Sequence, residues 1–416
     1  MFFLYQILVT IILLISPIII IYRILKNKED KHRFVEKFSI STKKRKNGKL
    51  IWFHGASVGE ILSVIPIIKH YEKNKKINQI LITSSTLSSS KILKKFNLKK
   101  TVHQFYPIDH FFFTNKFLNF WRPTLAIFIE SEIWPCMYSD LDKKKIPLIL
   151  LNARITKKTF KRWIKIKDFS KEIFNKIKIA YPQNLETKYF LKKIKMKKVN
   201  NIGNLKFIED PDINESKIKN NLKLELKKRK LWVASSTHDD EELFCAQSHL
   251  ELRKKIKNLL TIIIPRHIHR ADEIINKIKN LKLNVALHSS GISKIKDIDI
   301  YIVDTFGETK KFHQIASSVF LGGSIINRGG QNPLEAARYG SRILHGPNIS
   351  NFKDVYSLLK KLNISKKIKT PKQLSSLIIF NKKKNYDFKI KNIGEKILKK
   401  TIRELDTLIK DEIKKT

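Results

Sequence analysis

The chain has 416 residues, 42% of them hydrophobic, so it is too long for one ordinary core, too apolar for wholesale disorder, and suited to two domains of usual size. Two cysteines, Cys136 and Cys245, exclude a disulfide framework and a cysteine zinc site and point to a reducing compartment. The 84 Lys and Arg against 37 Asp and Glu give a formal charge of +47, but the lysines are spread along the chain with no nucleic-acid module, so an anionic membrane surface is the expected polyanionic partner rather than nucleic acid.

Residues 1–22 read MFFLYQILVTIILLISPIIIIY and carry no charge. As a helix this segment would be about 33 Å long, enough to cross a hydrocarbon layer of roughly 30 Å. It has neither a basic leader nor a small-residue cleavage site, so it reads as an anchor rather than a removed signal. Arg23, Lys26, Lys28, Lys31 and Arg33 follow, which by the positive-inside rule keeps the remainder on the cytoplasmic side. The same segment also reads as a helix lying flat on the bilayer. Both readings put the rest of the chain at the cytoplasmic face of the inner membrane.

After a basic connector, Leu50–Phe53 is expected to be a strand, followed by buried strands in INQILITSS, PTLAIFIES, KIPLILLNARI and KIKIAYPQ. Helical stretches separate these continuous apolar runs, the signature of a parallel sheet covered on both faces. A polar stretch over 209–230 reads as the interdomain region. The alternation then restarts with KLWVASST, LLTIIIPRH, LNVALHS, DIYIVDT and SVFLGGS. The expected fold is α/β: two doubly wound Rossmann-like domains, 34–208 and 231–386, facing a cleft, with the N-terminal membrane helix and a helical tail over 387–416. In such sheets ligands bind beyond the carboxyl ends of the strands.

Several motifs sit at those ends. In WFHGASVGEILS, Gly55 and Gly59 allow close backbone approach, and Glu60 falls in the first helical turn. Its carboxylate could accept a proton from a substrate hydroxyl, or complete a capping box with Ser57. In FIESEIWP, Glu130 and Glu132 follow an apolar strand, where charge needs a partner; they are either site acids or pair with Arg122 or Arg154. Lys206 of NIGNLKF would stabilise a leaving phosphate or stay solvated. In ASSTHDDEELF, Thr237 and Asp240 have capping-box spacing, and Asp239 to Glu242 suit the positive end of a helix. Arg266 of PRHIHR can grip a phosphate, while His267 and His269 lack the companions of a metal site. VDTFGE ends a strand at a glycine turn. In FLGGSIINRGGQNPLEAARYG, Asn332 is the expected N-cap, Pro333 the first helical residue and Glu335 the third, so free N–H groups would face an anion and Glu335 ribose hydroxyls.

Together and in this order the stretches WFHGASVGE, YPID, ESEIWP, LNARIT, GNLKF, SSTHDDEE, PRHIHR, DTFGE, FLGGS, GGQNPLEAARYG and GPNISNF resemble the Kdo transferase family of lipid A glycosyltransferases (Kdo being 3-deoxy-D-manno-octulosonic acid). The resemblance runs from Trp52 to Phe352 and implies the glycosyltransferase B fold and an inverting transfer of Kdo from CMP-Kdo to a lipid A precursor, lipid IVA. It implies no cofactor and no metal. By the same resemblance Glu60 would be the catalytic base, and Glu130 and Lys206 would stabilise the transition state. Pro265, Arg266, the turn Phe306, Gly307 and Glu308, and Asn332, Pro333, Leu334 and Glu335 would hold CMP. The chain departs from the family pattern at Gln331, where a histidine is usual, in TSSTLSSS, which lacks a glycine, and in the acidity of THDDEE. Two other readings are a UDP-sugar transferase or epimerase on the same fold, and a non-catalytic basic module binding nucleic acid or membrane.

Overall fold

The computed structural model describes residues 1–208, 218, 220–291, 295–382 and 385–415. They form two compact units: Met1–Asp210 with Gly394–Thr416, and Pro211–Ile393. Part of the polar 209–230 stretch lies outside the described residues, and its described portion includes a helix, Asn220–Lys227.

The first unit holds six parallel strands: β1 (Leu50–His54), β2 (Gln79–Ser84), β3 (Thr101–Phe105), β4 (Leu125–Ile129), β5 (Leu148–Ala153) and β6 (Ile179–Pro182), in the order β3-β2-β1-β4-β5-β6. The continuous apolar runs arise because both faces are covered. Along β1, Leu50 and Trp52 join one core cluster while Ile51 and Phe53 join the other, and Leu125, Ile127 and Ile129 alternate with Ala126 and Phe128 along β4. The order reverses between β1 and β4, so the crevice of this sheet lies where His54 and Ile129 end their strands. Strand β3 was not expected from its sequence.

The second unit has seven parallel strands: β7 (Lys230–Thr237), β8 (Leu259–Pro265), β9 (Val285–Leu287), β10 (Ile300–Ile302), β11 (Ser318–Leu321), β12 (Arg342–His345) and β13 (Ser365–Lys367). Their order is β13-β12-β11-β7-β8-β10-β9, with its reversal between β7 and β11. Gly322 is required just past β11, since a Cβ there would lie 2.3 Å from the Ser236 carbonyl oxygen. The tail is the helix Tyr386–Lys415; from Gly394 on it belongs to the first unit, where Leu405 and Ile409 complete a core cluster.

The N-terminal apolar segment is a helix, Phe2–Leu25, long and apolar enough to cross a membrane by length and composition. Its Tyr5 hydroxyl donates to Asp109 Oδ2 at 2.7 Å.

Candidate functional site

The first constellation gathers at the switch point of the first sheet. β1 ends at His54, Gly55 turns the chain, and the helix Val58–Glu72 starts behind Ser57. The Glu60 N–H donates to Ser57 Oγ at 3.3 Å, the Ser57 hydroxyl donates to Glu60 Oε1 at 3.0 Å, and the Ala56 N–H donates to Glu60 Oε2 at 2.7 Å. The expected capping box therefore forms with a shift: the carboxylate satisfies the donor one residue before the cap. Gly55 leaves the room for it, because a Cβ there would lie 3.1 Å from Glu60 Cβ and 3.3 Å from Ile129 Cδ1. Around Gly59 an added Cβ would meet nothing within 4 Å, so that backbone is open to a ligand.

Capping and proton acceptance are compatible here. Burial raises the Glu60 carboxyl to about 7, and the negative charges of Glu132 and Glu130 add to this; the Ala56 and Ser57 hydrogen bonds pull the other way. A carboxylate lifted to that range is poised as a general base.

β4 stops at Ile129, so Glu130 and Glu132 lie beyond the strand that precedes them. Glu130 takes a left-handed backbone (φ 59°), and the break points the two carboxylates at different partners. Neither of the arginines weighed above pairs with Glu130. Lys206 Nζ does, at 2.7 Å from Oε1, while Arg154 donates only its backbone N–H, to the Glu130 carbonyl. Asn152 bridges this group: its Nδ2 lies 3.4 Å from Glu130 Oε1 and its Oδ1 accepts the Leu205 N–H at 3.0 Å, fixing the turn that carries Lys206. Glu132 accepts from Trp134 Nε1 at 2.9 Å and lies 3.0 Å from His54 Nε2. Burial works to raise Glu132, but His54 and Trp134 outweigh it and hold the carboxyl below its ordinary value. The His54 ring stacks on Tyr106 at 3.8 Å and places Nδ1 2.9 Å from Thr83 Oγ1. His54, Tyr106 and Asn152 escaped sequence reasoning. The signals were a histidine ending a buried strand, the tyrosine of YPID and the asparagine of LNARIT.

The donor residues expected in the second unit follow the ends of β8, β10 and β11, of which β8 and β10 are neighbours and β11 is separated from β8 by β7. Pro265 closes β8, and the Arg266 N–H donates to the Thr237 carbonyl at 2.9 Å while its side chain is exposed. Phe306 is 82% exposed, Gly307 has φ 85°, and Glu308 pairs with Lys311 at 2.7 Å. Asn332 accepts the Leu334 N–H at 3.1 Å, but the helix begins at Leu334, not at Pro333, and ends at Arg338. The side-chain cap expected of Asn332 thus forms, but the hydrogen-bonded helix starts one residue later than expected and is only five residues long, so it supplies little dipole for an anion. Glu335 lies 3.9 Å from Lys310.

The capping box expected at Thr237 and Asp240 does not form. Asp240 adopts a left-handed conformation without a side-chain cap, and Glu241 takes over. Glu241 is fully buried and accepts four backbone N–H groups, from His238 at 3.1 Å, Gly323 at 2.6 Å, Ser324 at 3.0 Å and Ile325 at 2.9 Å. It holds the FLGGS turn at the second switch point, a role the acidic run did not announce. His267 and His269 stand 5.6 Å apart by ring centroids, and among the described residues no three His, Cys, Asp or Glu converge on a metal-sized site.

Two doubly wound parallel-sheet units, with polar clusters at their switch points, define a protein of the glycosyltransferase B class. UDP-GlcNAc 2-epimerase from Methanocaldococcus jannaschii shares this architecture, with a TM-score of 0.56 at 16% identity over 86% of this chain and 99% of that one. Residues 32–209 match the sequence profile of the 3-deoxy-D-manno-octulosonic acid transferase domain. The transferase of that name from Rickettsia bellii is 34% identical over 95% of this chain and 94% of its own length, and that from Rickettsia prowazekii 35% identical over 87% and 78%. The chain belongs to the 3-deoxy-D-manno-octulosonic acid transferase family.

Proposed function

We propose that this chain is an inverting transferase that moves Kdo from CMP-Kdo onto a lipid A precursor, lipid IVA, at the cytoplasmic face of the inner membrane, with Glu60 as the base. The observation that carries the reading is the Glu60 carboxyl, raised to about 7 beside a strand end. The acceptor hydroxyl gives its proton to Glu60, its oxygen bonds to the anomeric carbon, and the bond from that carbon to the phosphate oxygen breaks. CMP departs with the electron pair. Displacement from the opposite face inverts the anomeric centre.

Charge develops in two places, positive on the sugar and negative on the departing phosphate. The Glu130–Lys206 pair supplies one group of each sign from a fixed position, the preorganisation that makes such groups effective. In the second unit the exposed Arg266 guanidinium and the turns at Phe306, Gly307 and Glu308 and at Asn332, Pro333, Leu334 and Glu335 take up CMP. A monophosphate leaving group needs less neutralisation than a diphosphate, so no metal step is included.

The test is mass spectrometry of lipid IVA incubated with the purified protein and CMP-Kdo. A mass gain of one or more Kdo residues, absent with Glu60→Gln, is expected. No gain with the wild-type chain, together with thermal protection by UDP and not CMP, would overturn the reading in favour of a UDP-sugar enzyme on the same fold.

A further inference from the structure

The apolar helix Phe2–Leu25 is covered along one stripe: Phe2, Tyr5, Val9, Leu13, Ser16 and Ile20 are buried or half-buried at steps of three and four residues. That stripe runs the length of the helix, and both of its ends are tied to the first unit. At the start, Phe2 and Tyr5 pack on the domain core, each with its ring 6.3 Å from Phe169, and the Tyr5 hydroxyl donates to the buried Asp109. Asp109 in turn accepts the N–H groups of Cys136 and Met137 at 3.0 and 2.9 Å. At the far end, Arg23 Nε lies 3.1 Å from the buried Glu29, which also pairs with Lys37. The connector is fixed to β3 by the Phe105 N–H, which donates to Glu36 at 2.7 Å. Tyr5 and Arg23 are about 27 Å apart along a helix axis. A helix crossing the bilayer would carry Tyr5 that far from the domain, and the Asp109 contact could not exist.

The uncovered face is apolar. Leu4, Ile11, Ile18 and Leu25 recur every seventh residue on one side and are 60%, 50%, 70% and 76% exposed. Cations flank both ends of this face. Lys26, Lys28 and Lys31 follow its last turn. Beside its first turn, through Trp163 whose ring is 6.3 Å from Phe169, lies the helix Lys157–Lys165, with Lys157, Lys158, Lys161, Arg162 and Lys165 all exposed and no acid. A free interfacial helix needs a polar face toward water; this helix has none, and the protein covers the stripe that would otherwise face water.

We propose that the Phe2–Leu25 helix lies in the plane of an anionic bilayer's interface, seated along the first unit, and does not span the membrane. The protein is then monotopic, with apolar side chains dipping below the headgroups and the lysines at both ends meeting anionic lipid. This geometry is independent of the transfer chemistry, so its failure leaves the transferase reading untouched.

Spin labels attached one at a time to Leu4→Cys, Ile11→Cys, Ile18→Cys and Leu25→Cys test it, since the native Cys136 and Cys245 are buried. The full chain is bound to vesicles of phosphatidylglycerol and phosphatidylethanolamine, and depth is read by power saturation against oxygen and a nickel chelate. All four labels are expected at similar depths, within ~10 Å of the headgroups. A profile deepest at Ile11 and Ile18, with Leu4 at the opposite interface, overturns the proposal, as do four labels in water or dipolar broadening from helix pairing between two copies. Lys161→Gln with Arg162→Gln, both exposed, should weaken binding to these vesicles by roughly 10- to 30-fold and leave binding to neutral ones unchanged; equal affinity on both would remove the electrostatic half of the proposal.

Discussion

Lys206 Nζ stands 2.7 Å from Glu130 Oε1, and the carboxylate is buried at 5% exposure. Lys206→Met would leave Glu130 with Asn152 Nδ2, at 3.4 Å, as its side-chain donor. Losing one member of a buried pair costs about 3–5 kcal/mol; with the Lys206 side chain 23% exposed, the lower end is expected. Turnover should fall about 100- to 1,000-fold. Adding Glu130→Gln should recover part of the stability in urea unfolding but none of the activity. Strictly additive losses would show that the pair is not coupled.

Glu60 gives a pH dependence with a defined sign. Its carboxyl is raised from 4.5 to about 7 in the folded chain. With Glu60 as the proposed base, kcat/KM should rise about tenfold per pH unit below 7 and level off above it. Stability runs the other way. The folded chain holds this proton more tightly than the unfolded chain, so the contribution is complete below about 4.5 and is lost as pH rises through 7. Glu60→Gln, which keeps an oxygen for the Ala56 N–H, should be inactive, melt above the wild type at pH 8, and match it below 4.5. Equal melting at every pH would mean that the carboxyl is not raised.

The pH profile also reports on a neighbour. Glu132 is the larger of the two carboxylate contributions that raise Glu60. Glu132→Gln removes that charge and keeps an oxygen near His54 and Trp134. The acidic limb of kcat/KM should move to lower pH, while Glu60→Gln remains inactive in that background. An unmoved limb would assign the shift to burial and Glu130 without Glu132.

Gly55→Ala tests the space kept for the base. The position does not need a left-handed backbone, so strain enters only through the new methyl, 3.1 Å from Glu60 Cβ and 3.4 Å from Glu60 Oε2. A carboxylate displaced by a fraction of an ångström should lose about 10- to 100-fold in kcat, with KM for CMP-Kdo unchanged. A matching rise in KM would show instead that the donor side had been disturbed.

These residues also show how far the sequence alone could reach. Continuous apolar runs such as LAIFI and LLTIIIP announced central parallel strands, because a strand covered on both faces has no polar side. Two of the four edge strands, β3 and β13, gave no such signal. β3 reads TVHQF with its first three residues half-exposed, and β13 reads SKK with both lysines exposed. The S-x-x-E spacing announced the cap at Glu60, yet T-x-x-D at Thr237 announced one that does not form, since spacing cannot foresee the left-handed turn at Asp240. The raised Glu60 carboxyl was not legible at all: it depends first on burial and then on Glu132 and Glu130, and these arise only once β1 and β4 lie side by side.

Glu241 offers the last test, because its role is unusual for an acidic residue in a first helical turn. Each of its two oxygens accepts two backbone N–H groups, Oε2 from His238 and Gly323, Oε1 from Ser324 and Ile325. Whichever way the amide of Glu241→Gln turns, its NH2 must face two of these donors. Two N–H groups, one buried and one part-buried, then lose their acceptor, the buried one at about 1–3 kcal/mol, placing this near-isosteric change among the more damaging single substitutions. The turn it releases leads directly into the loop from Gly329 to Glu335, so CMP affinity should fall along with stability. Calorimetric titration with CMP separates this from a catalytic defect: Glu60→Gln should bind CMP as the wild type does, and Glu241→Gln should not. If Glu241→Gln kept both its unfolding midpoint and its CMP affinity, the FLGGS turn would have to be held by its glycines and strand contacts rather than by this carboxylate.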